Sequence, residues 1–139
     1  MKFFTEQQLT ACASQYMRMR RFRVFALYGD LGSGKSTFVR ACAQTLDITR
    51  LASPTFTLMQ VYSIHDQSFH TLCHVDAWRI QQPKELIDIG FLEYRDDLQT
   101  LCFIEWADRV SSLLPKKRLD MFFSILSPSL RTLQIYERA

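Results

Sequence analysis

Eight consecutive residues constrain this chain more than any others: Gly29-Asp30-Leu31-Gly32-Ser33-Gly34-Lys35-Ser36. They satisfy the pattern G-x-x-x-x-G-K-[ST] in full. The spacing has a chemical reason. Glycines let the backbone curl around phosphate oxygens and turn successive N–H groups toward them. The loop runs into a helix, whose N-terminus favours anions. Lys35 brings a point charge to the β and γ phosphates, and the Ser36 hydroxyl is suited to one position on Mg²⁺. Gly29, Asp30, Leu31, Gly32, Ser33, Gly34, Lys35, Ser36 and the adjoining Thr37 are therefore candidates to bind ATP or GTP. A guanine-selecting N-K-x-D is absent from the sequence, which favours ATP.

Such a loop works only between a strand and a helix, and both are legible. Phe22 to Tyr28 is a short apolar run ending at Gly29, the pattern of a buried strand. From Lys35 to about Leu46 the apolar positions Phe38, Ala41, Cys42, Thr45 and Leu46 keep helical spacing. Upstream, Thr5-Glu6-Gln7-Gln8 reads as a capping box opening a helix to about Met19. Downstream, Thr55 to Tyr62 and Thr71 to Ala77 read as a hairpin across a polar turn. Pro83 to Tyr94 reads as one or two short helices, and Thr100 to Ile104 as a second buried strand. A helix from Trp106 to Leu114 stops at Pro115. Leu119 to Leu126 and Thr132 to Tyr136 read as closing strands around Ser127-Pro128-Ser129. The fold class expected is α/β: a single P-loop NTPase domain over residues 1–139, with a mainly parallel central sheet, flanking antiparallel strands and helices on both faces.

Hydrolysis needs an acidic residue for the metal and a group to position water. Two apolar strands end in a carboxylate, Leu72-Cys73-His74-Val75-Asp76 and Leu101-Cys102-Phe103-Ile104-Glu105. Ligands of open α/β sheets sit at the carboxyl ends of strands, so both Asp76 and Glu105 are candidates. Which one holds the metal the residues leave open. Ser53-Pro54-Thr55-Phe56-Thr57 follows the P-loop helix and offers small hydroxyls of the kind used in nucleotide switches.

Other classes fit less well. No apolar run approaches the roughly 20 residues of a membrane span. Met1 to Glu6 turns polar too soon for a signal peptide, so a soluble cytoplasmic chain without membrane association is expected. The cysteines, Cys12, Cys42, Cys73 and Cys102, form no C-x-x-C pair and read as buried thiols of a reducing compartment. The histidines, His65, His70 and His74, have no helical metal spacing. A net charge of +3 does not argue for nucleic acid. The basic clusters Arg18, Arg20, Arg21, Arg23 and Lys116, Lys117, Arg118 read as solvated faces.

Four segments together resemble one family. G-D-L-G-S-G-K-S-T-F at Gly29 to Phe38, S-P-T-F-T-L at Ser53 to Leu58, H-V-D-A-W-R at His74 to Arg79 and I-E-W at Ile104 to Trp106 are similar, in order and spacing, to TsaE (formerly YjeE). The resemblance runs from about Phe22 to Pro115. It implies an ATP- and Mg²⁺-dependent accessory subunit with weak, partner-stimulated ATPase activity. Such subunits act with TsaB and TsaD in attaching threonylcarbamoyl to adenosine 37 of tRNAs reading ANN codons, so tRNA is met indirectly, through the complex. By motif, Ser36 and Glu105 would hold Mg²⁺ and Lys35 would serve the phosphates. Asp76 would be the essential acid near the γ-phosphate, Thr55 the switch hydroxyl, and Trp106 a neighbour of the nucleotide. Trp78 stands where the family usually has Tyr, and Ser36 where Thr is common.

The alternative is a small-molecule kinase of nucleoside type, which also uses a P-loop. Such kinases usually clamp phosphates with an arginine-rich lid. Here Pro83 to Asp97 holds one arginine, Arg95, against Glu85, Asp88, Glu93, Asp96 and Asp97.

Overall fold

A computed structural model describes residues 2–51 and 57–139. In chain order the elements are β1 (Lys2–Phe4), α1 (Glu6–Met19), β2 (Val24–Tyr28), α2 (Lys35–Thr45), β3 (Met59–Ser63), β4 (Thr71–Asp76), α3 (Lys84–Asp88), α4 (Phe91–Asp96), β5 (Thr100–Glu105), a 3-10 segment (Ala107–Leu113), β6 (Arg118–Ser127) and β7 (Leu130–Arg138).

Among the described residues the strands form one seven-stranded sheet in the order β1-β7-β6-β2-β5-β4-β3. The four central strands, β6, β2, β5 and β4, are mutually parallel, and β1, β7 and β3 join antiparallel at the edges. The expected α/β class, with a mainly parallel centre and antiparallel flanks, is thus observed.

Alternation along the central strands divides the core into two layers. Phe25, Leu27, Leu72, Leu101, Phe103 and Met121 face α1 and α2, where they meet Leu9, Ala13 and Phe38. Val24, Ala26, Cys73, Val75, Cys102 and Ile104 face the other way, against Leu86 of α3, Phe91 of α4 and Val110. Helices therefore cover both faces, which accounts for strands apolar on both sides. The bulkiest stack lies under α2: Phe25 and Phe103 are parallel at 5.0 Å between centroids, and Phe38 meets Phe25 at 6.1 Å. Full burial of each such ring contributes about 2–3 kcal/mol.

The capping box exists as read: Gln8 N–H donates to Thr5 Oγ1, and Thr5 N–H donates to the Gln8 side chain at 2.8 Å. One strand was not read from sequence, and two readings are corrected. Lys2–Phe4 is a strand, because β7 lends it hydrogen-bonding partners that three residues cannot signal alone. The segment after Trp106 is 3-10 rather than α-helical and is broken at Val110 (φ −131°). β7 runs from Leu130 to Arg138, longer than the Thr132–Tyr136 strand read from sequence. The early part of the strand read from Thr55 lies outside the described residues, and its described part begins at Met59.

Candidate functional site

Register delivers the chemistry to one edge. Leu27 of β2 pairs with Glu105 of β5, and Asp76 of β4 pairs with the same Glu105. The carboxyl ends of three parallel strands are therefore level, and the chain leaves β2 there to form the Gly29–Gly34 loop before entering α2. Gly29 has φ 142° and Gly34, the N-cap of α2, has φ 116°. A Cβ on Gly29 would strike the Phe123 carbonyl of β6 and stand 2.7 Å from Ser33 Oγ. Only glycine fits at that approach.

Lys35 opens α2 and is only 4% exposed. Its ammonium donates to the carbonyls of Gly29 and, at 2.9 Å, Asp30. It also lies 4.4 Å from the centroid of the Trp106 ring, a cation–π contact. Burial lowers its pKa below the ordinary 10.5, although Glu105, Asp76, Asp30 and Asp108 oppose the shift. Trp106 takes a left-handed backbone (φ 58°) at the turn out of β5, which sends its ring back over the loop. Trp78 lies against it at 4.5 Å, and the Arg109 guanidinium reaches both rings, at 5.4 and 5.8 Å.

Ser36 Oγ–H donates to Glu105 Oε1 at 2.7 Å, and His74 Nε2 lies 2.7 Å from Glu105 Oε2. Burial pushes the Glu105 carboxyl up, but the His74 and Ser36 hydrogen bonds and the Lys35 charge hold it below its ordinary value. Asp76 differs. Its Oδ1 accepts from the Trp78 N–H at 3.0 Å, yet burial raises its pKa, with the Glu105 charge adding to the rise. Two carboxyls on adjacent strands are thus pushed in opposite directions.

A cavity of about 180 Å³ gathers Gly32, Gly34, Lys35, Ser36, Thr37, Asp76, Glu105 and Trp106, with Leu31 and Arg40 at its rim. Of the residues singled out from sequence, these converge. Gly29 and Ser33 do not line the cavity, and Ser33 is fully buried. Asp30 and Leu31 are solvent-exposed, Leu31 by 82%. Thr55 lies outside the described residues.

A second cavity, about 230 Å³, adjoins the first through Gly32, Gly34 and Thr37. Phe4 and Leu9 form one side of it, and Pro128, Ser129 and Arg131 of the β6–β7 hairpin the other. Arg131 Nε–H donates to the Gly32 carbonyl at 3.1 Å, so the hairpin is fastened to the loop. The residues alone make the chain's two ends candidates to close such a space but do not place it, because three remote segments build it. Sequence reading missed the Glu105 contact of His74, which a strand period of two signals by placing His74 on the same face as Asp76. The basic cluster near α1 is largely engaged within the fold: Arg20 pairs with Asp66 at 2.7 Å, Arg21 with Glu137 at 3.2 Å, and Arg23 donates to the Arg95 and Thr100 carbonyls.

Comparison with known proteins places these features in context. The family model described as "Threonylcarbamoyl adenosine biosynthesis protein TsaE" matches residues 4–134. Proteins named tRNA threonylcarbamoyladenosine biosynthesis protein TsaE are similar to the chain. That of Bacillus subtilis is 39% identical over 99 residues, covering 70% of this chain and 59% of its own length. That of Borreliella burgdorferi is 36% identical over 97 residues (70% and 69%), and that of Treponema pallidum 36% over 115 residues (81% and 80%). The crystal structure of YdiB from Bacillus subtilis superposes with a TM-score of 0.74 at 26% identity, covering 99% of this chain and 87% of that one.

Proposed function

The chain belongs to the TsaE family, and from that premise we propose that it is an ATP-binding, weakly ATP-hydrolysing accessory subunit of tRNA threonylcarbamoyladenosine synthesis. The observation that carries the reading is the convergence of Lys35, the Ser36–Glu105 pair and Asp76 on one cavity at the level ends of β2, β4 and β5.

The roles follow from position. Backbone N–H groups of the loop and the start of α2 receive the phosphates, and Lys35 exchanges the Gly29 and Asp30 carbonyls for phosphate oxygens. Ser36 and Glu105 offer hard oxygen donors 2.7 Å apart beside the Lys35 cation, a donor set that suits Mg²⁺. Bound there, Mg²⁺ would neutralise charge on the β and γ phosphates. Asp76, at the cavity wall with a raised pKa, orients the attacking water and takes its proton as the γ-phosphorus–oxygen bond to ADP breaks. Thr55 is assigned the switch hydroxyl on its place in S-P-T-F-T. The adjoining cavity of about 230 Å³ is assigned to the adenine ring, between Leu9 and the Pro128–Ser129 turn.

We assign TsaB and TsaD as partners, with tRNA met through them. The half-exposed Trp78 beside the cavity mouth offers a surface where a partner can influence turnover. A cytoplasmic setting is assigned: no described helix is long and apolar enough to cross a membrane, and Cys42, Cys73 and Cys102 are buried thiols outside any disulfide. The kinase alternative loses ground, because Arg95 is already committed to Asp96 and the Leu113 carbonyl.

The deciding experiment is steady-state ATP hydrolysis with and without purified TsaB–TsaD. Stimulation by the complex is the expected result. Phosphorylation of a nucleoside without partners would replace this reading with the kinase one.

A further inference from the structure

His74 lies on β4, where Leu72 and Val75 supply ordinary apolar packing, yet it is a polar ring only 2% exposed. One nitrogen explains its presence and the other does not. Nε2 is 2.7 Å from Glu105 Oε2. Nδ1 is buried with no hydrogen-bond partner among the described residues. Burying an unsatisfied polar atom is costly, and an aliphatic residue would avoid that cost. The ring is thus retained for what Nε2 does.

A carboxylate offers acceptors only, so Nε2 carries the proton and donates to Oε2. Ser36 occupies the other oxygen, Oε1. A glutamate side chain has three rotatable bonds, and a hydrogen bond to a single oxygen leaves its carboxylate free to swing. The second bond removes that freedom. Because β4 and β5 are in parallel register, with His74 opposite Phe103 and Asp76 opposite Glu105, the imidazole reaches Oε2 from two residues behind the site, on the same face. It leaves the cavity side of the carboxylate clear.

We infer that His74 is a positioning residue: its Nε2–H to Oε2 bond locks the Glu105 carboxylate with Oε1 turned to Ser36, preorganising this pair for a divalent cation. The inference rests on the assignment of Ser36 and Glu105 to Mg²⁺ made above. Groups that orient metal ligands typically account for about 10–100-fold in metal affinity.

The test compares ATP affinity of the full chain in Mg²⁺ and in EDTA by calorimetry, for wild type, His74→Leu, His74→Gln and Glu105→Gln. His74→Leu is expected to lose about tenfold or more of the Mg²⁺-dependent gain while its affinity in EDTA stays within about twofold. His74→Gln, which keeps an N–H donor, is expected to recover part of the gain. A merely structural histidine would lower both affinities together, and that result overturns the inference. If Glu105→Gln loses the gain and His74→Leu keeps it, the His74 role alone falls. If Glu105→Gln keeps it, the Mg²⁺ assignment itself falls. Two-bond ¹H–¹⁵N spectra of the wild-type imidazole decide the matter independently should His74→Leu not fold: a neutral tautomer protonated at Nδ1 overturns the inference.

Discussion

Ser36 at the start of α2 and Glu105 at the end of β5 are 69 residues apart in sequence and joined by a 2.7 Å hydrogen bond. The bond ties the helix proposed to receive phosphate to the strand that supplies a carboxylate. Of the two strand-end carboxylates it is thus Glu105 that faces the serine.

Removing the hydroxyl should separate metal-dependent from metal-independent binding. Ser36→Ala is expected to weaken ATP affinity in Mg²⁺ about tenfold, roughly 1.4 kcal/mol, with a much smaller change in EDTA. Titration with a fluorescent ATP analogue under the two conditions checks this.

Lys35→Ala should reduce ATP binding beyond detection in the same titration. In the wild type a pH effect should accompany it. Burial has already lowered the Lys35 pKa below 10.5, and phosphate binding favours the charged form. Affinity is therefore full while Lys35 is protonated and falls as pH rises through its lowered free-state value. The decline should begin at lower pH than an ordinary lysine would give; affinity measured from pH 7 upward reads its onset.

Asp76→Asn should leave Mg²⁺–ATP affinity within a few fold and lower turnover by about 10²–10⁴-fold. Because burial raises the Asp76 pKa above 3.8, and the reaction uses its ionised form, turnover is retained above the raised value and lost as pH falls through it. The acidic limb of the rate profile should lie above that of a solvent-exposed aspartate. Single-turnover rates across pH 4–7 test it.

Gly29→Ala should destabilise the fold by roughly 2–4 kcal/mol, since the new methyl meets the Phe123 carbonyl at a φ reserved for glycine. Gly32→Ala has open space around its Cβ and meets only the backbone penalty at φ 79°, about 1 kcal/mol. Urea unfolding of both variants gives the comparison.

Ser129→Trp probes the adjoining cavity. Ser129 is exposed on the β6–β7 turn, so the indole should be tolerated by the fold while filling the space assigned to adenine. ATP affinity is expected to fall about tenfold with inorganic tripolyphosphate affinity unchanged. Equal loss for both ligands would move the base elsewhere.

Much of this architecture could be read before any coordinates. The P-loop, its flanking strand and helix, the Thr5 capping box and the two carboxylate-ended strands are local patterns, and local patterns survive in a one-dimensional record. What escaped was non-local. Lys2–Phe4 is a strand because β7 pairs with it. The Trp106 turn became 3-10 because tertiary packing of Ala107 and Val110 against β5 overrode helical spacing. The second cavity joins residues around positions 4, 34 and 130, which no periodicity connects. His74 fell between these cases: its strand period was visible, its carboxylate partner was not.

The fastening of the β6–β7 hairpin to the loop bears on biosynthesis. Among the described residues β1, at the sheet edge, pairs only with β7, and Arg131 donates to the Gly32 carbonyl. Translation is vectorial, so the phosphate motif emerges long before the residues that brace it. A nascent chain ending near Pro115 carries every signature segment of the family and still lacks β6 and β7, and with them one wall of the cavity between Leu9 and the Pro128–Ser129 turn. That cavity therefore closes only after all the signature segments have emerged, when β6 and β7 join β2 and β1.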